Sequence, residues 1–360
     1  MVDTLRKCQD QYICKLPFVV YRKPNANAIV GLLQDSDLLY LVDDFREQGF
    51  VFAPFEGDEI VFLPASHCEV SISAFEAIGP QRRQVPMVEI DNRVAKQRHF
   101  ALIEDAVKAI NKGCFSKVVL SRKEMVRFAD FDLFDTFQKL AHTYPSAFAY
   151  CFYHPKVGLW LGAFSEQLLF VKGNNFTTMA VAGTQVSTEN SAVVWKEKEI
   201  DEQAIVVNFI VSSLKDFSSE IKISTPYNLK AGNLVHIKTD ISGQFNDLID
   251  FKKALSILHP TPAVCGFPKN EARDFILKNE GYSRAYYSGY LGEFNMNFEN
   301  KEFESDLYVN LRCMQIEESH SSNEVLAHLY VGGGITKDSD AEQEWTETVN
   351  KAKTIKEILK

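Results

Sequence analysis

Residues 147–182 read AFAYCFYHPKVGLWLGAFSEQLLFVKGNNFTTMAVA, and this stretch decides the fold. Four apolar runs, 147–154, 158–163, 167–172 and 176–182, follow one another with only short links. His154-Pro155-Lys156 and Lys172-Gly173-Asn174 carry turn chemistry. A parallel pair needs a crossover of about a dozen residues or more, so strands this close predict successive hairpins and an antiparallel sheet. Helical periodicity flanks the stretch at 99–112, 131–142 and 196–214. Strand signals resume at 229–242, 286–295, 305–317 and 324–332, with helices at 246–258, 268–277 and 340–359. Nearer the N-terminus, 13–21, 28–33, 49–53 and 59–64 read as short strands, and 81–86, polar with a proline, as a connector. Groups of strands with helices between them, in both halves, predict an α+β architecture of antiparallel sheets with helices packed outside. The strands after residue 220 are expected to join those before 182 in one core.

Composition excludes several classes. No apolar run among the 360 residues reaches the roughly 18 needed to span a bilayer. The N-terminal MVDTLRKCQDQY has no apolar segment of a signal peptide. Seven scattered cysteines without a C-x-x-C pair fit reduced thiols in a cytoplasmic protein and speak against zinc. A net charge of −9 disfavours nucleic acid and anionic membranes. An anionic substrate would need local Lys, Arg, backbone N–H groups or a metal ion.

Several stretches carry residue types suited to chemistry. Gly332-Gly333-Gly334 reads as a loop where backbone can approach a ligand. Ser339 and Glu342 read as the capping box of the last helix. On that helix Glu344, Glu347 and Lys351 share a face, while Trp345, Val349, Ala352, Ile355 and Leu359 form the core stripe. In helix 196–214 the apolar stripe reads Ile200, Ala204, Val207 and Val211, with Glu199 and Glu202 on another face. Together the two acidic faces would supply oxygen ligands for a hard cation; each alone is equally a solvated helix face. Lys117 lies on a strand among apolar neighbours, which costs desolvation unless it has a partner or a task. A lysine reaching solvent from a strand end is the alternative. Glu166 falls in a tight turn between apolar strands, where a desolvated carboxyl can stay protonated and act as an acid. A hairpin tip in water is the other reading. Gly183 and Thr184 end a strand with a small residue and a hydroxyl, or are only a turn. Arg312, inside the apolar run 307–313, suits a carboxylate of substrate or protein. His259 opens a rigid His-Pro-Thr-Pro segment, or caps a helix.

Taken in order, these pieces resemble the chorismate-binding enzymes, the family of isochorismate, salicylate, anthranilate and aminodeoxychorismate synthases. The resemblance covers residues 95–358. It is carried by Lys117 to Arg122, Gly162 to Glu166, Ala182-Gly183-Thr184, Lys198 with Glu202, His259 to Gly266, Tyr287-Ser288-Gly289, Arg312-Cys313, Gly332 to Ile335, and Asp338 to Asp340 followed by Glu344, Glu347 and Lys351. It implies a central sandwich of antiparallel sheets, with 95–358 as the catalytic domain and 1–90 a β-rich part of the same fold. It implies Mg²⁺ on Glu202 and Glu347, with Glu199 and Glu344 close by. Lys351 and the Gly333 and Gly334 backbone would contact the ring carboxylate of chorismate, and Arg312 and Tyr287 the enolpyruvyl carboxylate. Gly183, Thr184 and His259 would line the site. Lys117 matches the general base of isochorismate synthases and Glu166 their general acid. The ammonia-using synthases lack a lysine at the Lys117 position. The implied protein is therefore a monomeric isochorismate synthase serving menaquinone biosynthesis. A siderophore-pathway isochorismate synthase, a salicylate synthase and an inactive chorismate-binding module are the alternatives.

Overall fold

A computed structural model describes residues 2–76, 87–89, 93–129, 131–186, 193–231, 234–247, 250–318 and 324–359. The expected connector at 81–86 lies outside them. Among the described residues there are two ten-stranded sheets. The first runs Gly266–Phe267, Lys117–Ala129, Glu324–Ile335, Cys313–Glu318, Gly158–Phe164, Phe148–His154, Phe18–Arg22, Ala28–Gln34 and Cys68–Ala74, with Met87–Glu89 also on Lys117–Ala129. The second runs Ser218–Ile223, Leu234–Phe245, Asn175–Val186, Gln167–Lys172, Glu304–Val309, Tyr290–Phe294, Gly49–Ala53, Val61–Pro64 and Tyr40–Leu41, with Tyr227–Ala231 also on Leu234–Phe245. The pairings are antiparallel, and strands from both halves of the chain interleave in each sheet, as expected.

The sheets face each other across an aromatic interior. Phe148, Tyr150, Phe152 and Trp160 of the first meet Phe50, Phe52, Leu291 and Tyr308 of the second. Ring centroids lie 4.4 Å apart for Phe52 and Phe152 and 4.7 Å for Phe148 and Tyr308. Alternation sends Ala149 and Cys151 to the opposite face, where helix Leu133–Thr143 packs through Phe137, Leu140 and Ala141. Large rings inward and small side chains outward explain why strand 148–154 reads as one continuous apolar run. Helices Glu197–Leu214 and Asp250–Leu258 cover the outer face of the second sheet. The architecture is thus α+β with helices outside a β sandwich. All seven cysteines are free thiols. No helix among the described residues is long and apolar enough to cross a membrane.

Four expectations are corrected. The chain opens with helix Val2–Ile13, not a strand at 13, because Leu5, Cys8 and Tyr12 recur at helical spacing and pack on the first sheet. Strand 305–317 is two strands, Glu304–Val309 and Cys313–Glu318, that belong to different sheets. Likewise Gly158–Phe164 and Gln167–Lys172 are not a hairpin: the two residues between them carry the chain from one sheet to the other. In helix Glu197–Leu214 the inward face is Glu202, Gln203, Val206, Ile210 and Leu214, and Ile200 is 53% exposed. Both faces of that helix carry apolar residues, so periodicity alone does not choose between them.

At Gly292 the backbone has φ +148, and a Cβ there would lie 2.0 Å from the Asp306 carbonyl oxygen of the paired strand. Gly292→Ala is expected to lower stability by about 3 kcal/mol or more, read as a lower urea midpoint with unchanged slope.

Candidate active site

Two crossovers between the sheets lie side by side. Ser165-Glu166 leaves the first sheet, and Asn310-Leu311-Arg312 returns to it. The Val309 N–H bonds the Glu166 carbonyl at 2.9 Å and fastens one to the other. Beside them opens a cavity with about 1150 Å³ of empty space, its mouth included. Lys117, Glu166, Gly183, Thr184, Glu199, Glu202, Tyr287, Arg312, Gly333, Gly334, Glu347 and Lys351 all line it. Glu344 adjoins it, buried behind Gly333.

The three glycines are not a loop. Strand Glu324–Ile335 carries them in full register with Lys117–Ala129: Gly332 opposite Ser121, Gly333 opposite Leu120, Gly334 opposite Val119. At two of the three a side chain would be crowded. A Cβ at Gly332 would stand 2.8 Å from the Tyr287 hydroxyl. At Gly334 it would stand 3.1 Å from Lys117 Cε and 3.2 Å from Glu202 Oε2. The helix that follows is capped by Asp340, whose carboxylate accepts the Gln343 N–H at 3.0 Å. The expected Ser339/Glu342 box is absent. Ser339 instead accepts the Thr336 N–H and donates to Glu344 Oε1 at 2.6 Å.

The acidic cluster is threaded with lysines. Lys117, 2% exposed, pairs with Glu202 at 3.8 Å. Lys198 donates to Glu344 at 2.6 Å. Lys351 donates to Glu347 at 2.6 Å and to the Gly332 carbonyl at 2.9 Å. Glu199 accepts the Lys196 N–H at 3.0 Å. Burial pushes the Glu344 carboxyl upward, and nearby Glu347 adds to this against the pull of Lys198. Burial alone would lower Lys198, but Glu344, Glu202 and Glu347 outweigh it and hold the ammonium above its ordinary value. Among the described residues no three His, Cys, Asp or Glu groups close on one point in metal-ligating fashion. The donor set nonetheless has the chemistry a hard divalent cation takes: its side chains offer carboxylate oxygens, and a Cβ placed at Gly333 would lie 3.5 Å from Glu344 Oε2 and 4.0 Å from Glu347 Oε1.

Across the cavity lies Glu166. Burial raises its carboxyl to about 7, against the pull of Lys117 and Arg312. Arg312, at φ +46 in the return crossover, directs Nη2 to His236 Nε2 at 2.8 Å. A guanidinium only donates, so Nε2 accepts and Nδ1 carries the ring proton. That N–H meets the Gly183 carbonyl at 3.0 Å, with the Thr184 hydroxyl at 3.2 Å. Burial, then Arg312 and Lys351, lower His236 to about 3.

Sequence reasoning missed His236. The available signal was a lone histidine in an apolar strand, opposite Thr184 in the register. His259, chosen instead, does not line the cavity. Its N–H ends helix Asp250–Leu258 on the Leu255 carbonyl, and its ring turns away, edge-on to Tyr290, with Nε2 at 3.2 Å from the Pro54 carbonyl. Ala263 and Val264 of the same segment reach the cavity in its place. In ¹⁵N NMR, His236 is expected to keep the neutral Nδ1–H signature from pH 8 down to 5. A titration midpoint above 5 would contradict the assignment.

A sequence profile described as "Chorismate binding enzyme" matches residues 67–360. This chain belongs to the chorismate-binding enzymes. It is 28% identical over 319 residues to a "Salicylate biosynthesis isochorismate synthase" of Pseudomonas aeruginosa, covering 84% of this chain and 63% of that one. It is 30% identical over 268 residues to "Isochorismate synthase MenF" of Escherichia coli, covering 72% and 59%. The chain thus spans less than two thirds of the length of these relatives. In fold it is similar to the solved structure of Escherichia coli MenF, the menaquinone-specific isochorismate synthase, with a TM-score of 0.78 at 21% identity over 96% of this chain and 89% of that one. For anthranilate synthase component I of Streptococcus pneumoniae the TM-score is 0.65 at 19% identity, over 94% and 89%.

Proposed function

We propose that this protein is an isochorismate synthase: water adds at C2 of chorismate, the ring double bonds shift, and the C4 hydroxyl leaves as water. The observation that carries the reading is a lysine and a raised carboxyl, Lys117 and Glu166, facing one cavity that also holds the acidic cluster. Lys117, as the neutral amine, takes the proton of the attacking water. Glu166, as the neutral acid, gives its proton to the leaving oxygen. Arg312, aligned by His236, and Tyr287 hold the enolpyruvyl carboxylate. Lys351 and the backbone of Gly333 and Gly334 hold the ring carboxylate. Glu202 and Glu347, with Glu199 and Glu344 beside them, would hold Mg²⁺, which when bound orients the ring carboxylate and draws charge from the ring. The likeness to MenF in sequence and fold supports menaquinone biosynthesis as the destination of the product.

With chorismate and Mg²⁺ the protein is expected to yield isochorismate by HPLC and to stop when EDTA is added. Salicylate with pyruvate would move the reading to a salicylate synthase. A chorismate-dependent melting shift without product would make the protein a binding module. Lys117→Ala is expected to cut turnover by about 10²–10⁴ while chorismate binding stays measurable. The active form of Glu166 is protonated, so the alkaline limb of the turnover profile is expected to fall as pH rises through about 7. A profile flat to pH 9 would remove Glu166 as the acid.

A further inference from the structure

Lys198 has no part in the chemistry just assigned, yet it lines the cavity and pairs with one member of the acidic cluster. It projects from helix Glu197–Leu214 one turn before Glu202. Its ammonium donates to Glu344 Oε1 at 2.6 Å, and the same oxygen accepts the Ser339 hydroxyl at 2.6 Å. Glu202 and Glu347 add a longer-range attraction to the same ammonium. These three carboxylates ring the Gly333-Gly334 backbone. A Cβ at Gly333 would meet Glu344 Oε2 at 3.5 Å and Glu347 Oε1 at 4.0 Å, and one at Gly334 would meet Glu202 Oε2 at 3.2 Å. Of the three lysines in the cluster, Lys117 has a side chain 2% exposed and Lys351 one 17% exposed, whereas that of Lys198 is 30% exposed. Lys198 therefore has the most open route to water.

A divalent cation among these oxygens would stand a few ångströms from the Lys198 charge, and at such distances like charges repel strongly even in a partly solvated site. We propose that Lys198 is a resident counter-ion, holding the Glu344 carboxylate when no divalent cation is bound and competing with the cation for the oxygens of the cluster. This rests on the reading that the cluster takes such a cation. The lysine then sets metal affinity, keeping it weaker than the carboxylates alone would give, and it withdraws toward solvent when the cation arrives. It gives the buried Glu344 carboxylate a cationic partner, as Lys117 does for Glu202 and Lys351 for Glu347.

Calorimetry with Mg²⁺ alone, on the full chain without substrate, tests this. Lys198→Met is expected to bind Mg²⁺ about tenfold tighter than wild type or better. In EDTA it is expected to melt lower, with the deficit closing as Mg²⁺ is added. Lys198→Gln, which keeps a donor for Glu344 without the charge, is expected to tighten binding in the same direction and serves if the Met variant does not fold. Lys198→Arg is expected to keep wild-type affinity. Neutral variants that bind Mg²⁺ no tighter than wild type overturn the counter-ion role and leave the metal reading standing. A wild-type protein that binds no Mg²⁺ and turns over equally well in EDTA overturns both.

Discussion

The backbone hydrogen bond from Val309 to Glu166 holds the site in place. Two sheets stacked face to face can exchange strands only where the ladder breaks, and two of the passages between them lie at adjacent points beside the cavity. One break carries a carboxyl, the other a guanidinium at φ +46. Residues freed from strand alternation can turn side chains along the seam between the sheets rather than into the core or the helix layers. That is how an acid and a cation come to face a cavity walled by apolar strands. The same seam explains the raised carboxyl at Glu166: it is half-buried in the cavity wall, and Lys117 and Arg312 only partly compensate.

Much of this was legible in the residues, and what was not has identifiable causes. Hairpin spacing and apolar runs gave antiparallel sheets and outer helices, because strand period and turn chemistry are local. The crossover at Ser165-Glu166 was invisible because two residues can equally close a hairpin or change sheets; the choice is made by which distant strands pair. Gly332 to Gly334 read as a loop because glycine usually marks one. In the structure they are ladder residues whose missing side chains leave room for Tyr287, Lys117 and Glu202. For helix Glu197–Leu214 two apolar faces competed, and the one that turns inward carries Glu202 and Gln203 with it. Histidines are the hardest to place from sequence. His236 and His259 both sit near the ends of apolar stretches, and only tertiary pairing puts one against Arg312 and the other against Pro54.

Charge in the site is balanced although the chain as a whole carries −9. Glu199, Glu202, Glu344 and Glu347 face Lys117, Lys198, Lys351 and Arg312, with Glu166 beside them, so the resting site is close to balanced and is one charge more negative when Lys117 acts as the neutral base. A site balanced in this way has no strong net preference for a cation or an anion arriving alone. A divalent cation and a dicarboxylate together leave the balance intact, so the binding of one favours the other through electrostatics alone.

The placement of the glycines within a sheet ladder divides the cavity into two mechanical parts. The wall formed by Gly332 to Gly334 and the Lys117 strand is cross-linked by backbone hydrogen bonds along its length. It is a fixed template, and ligand shape is judged against it. The opposite walls are helices Glu197–Leu214 and Ala341–Lys356, joined to the sheets by side-chain packing and ion pairs. Adaptation to a bound ligand belongs to those helices, and a change of specificity by drift would begin there, leaving the template untouched.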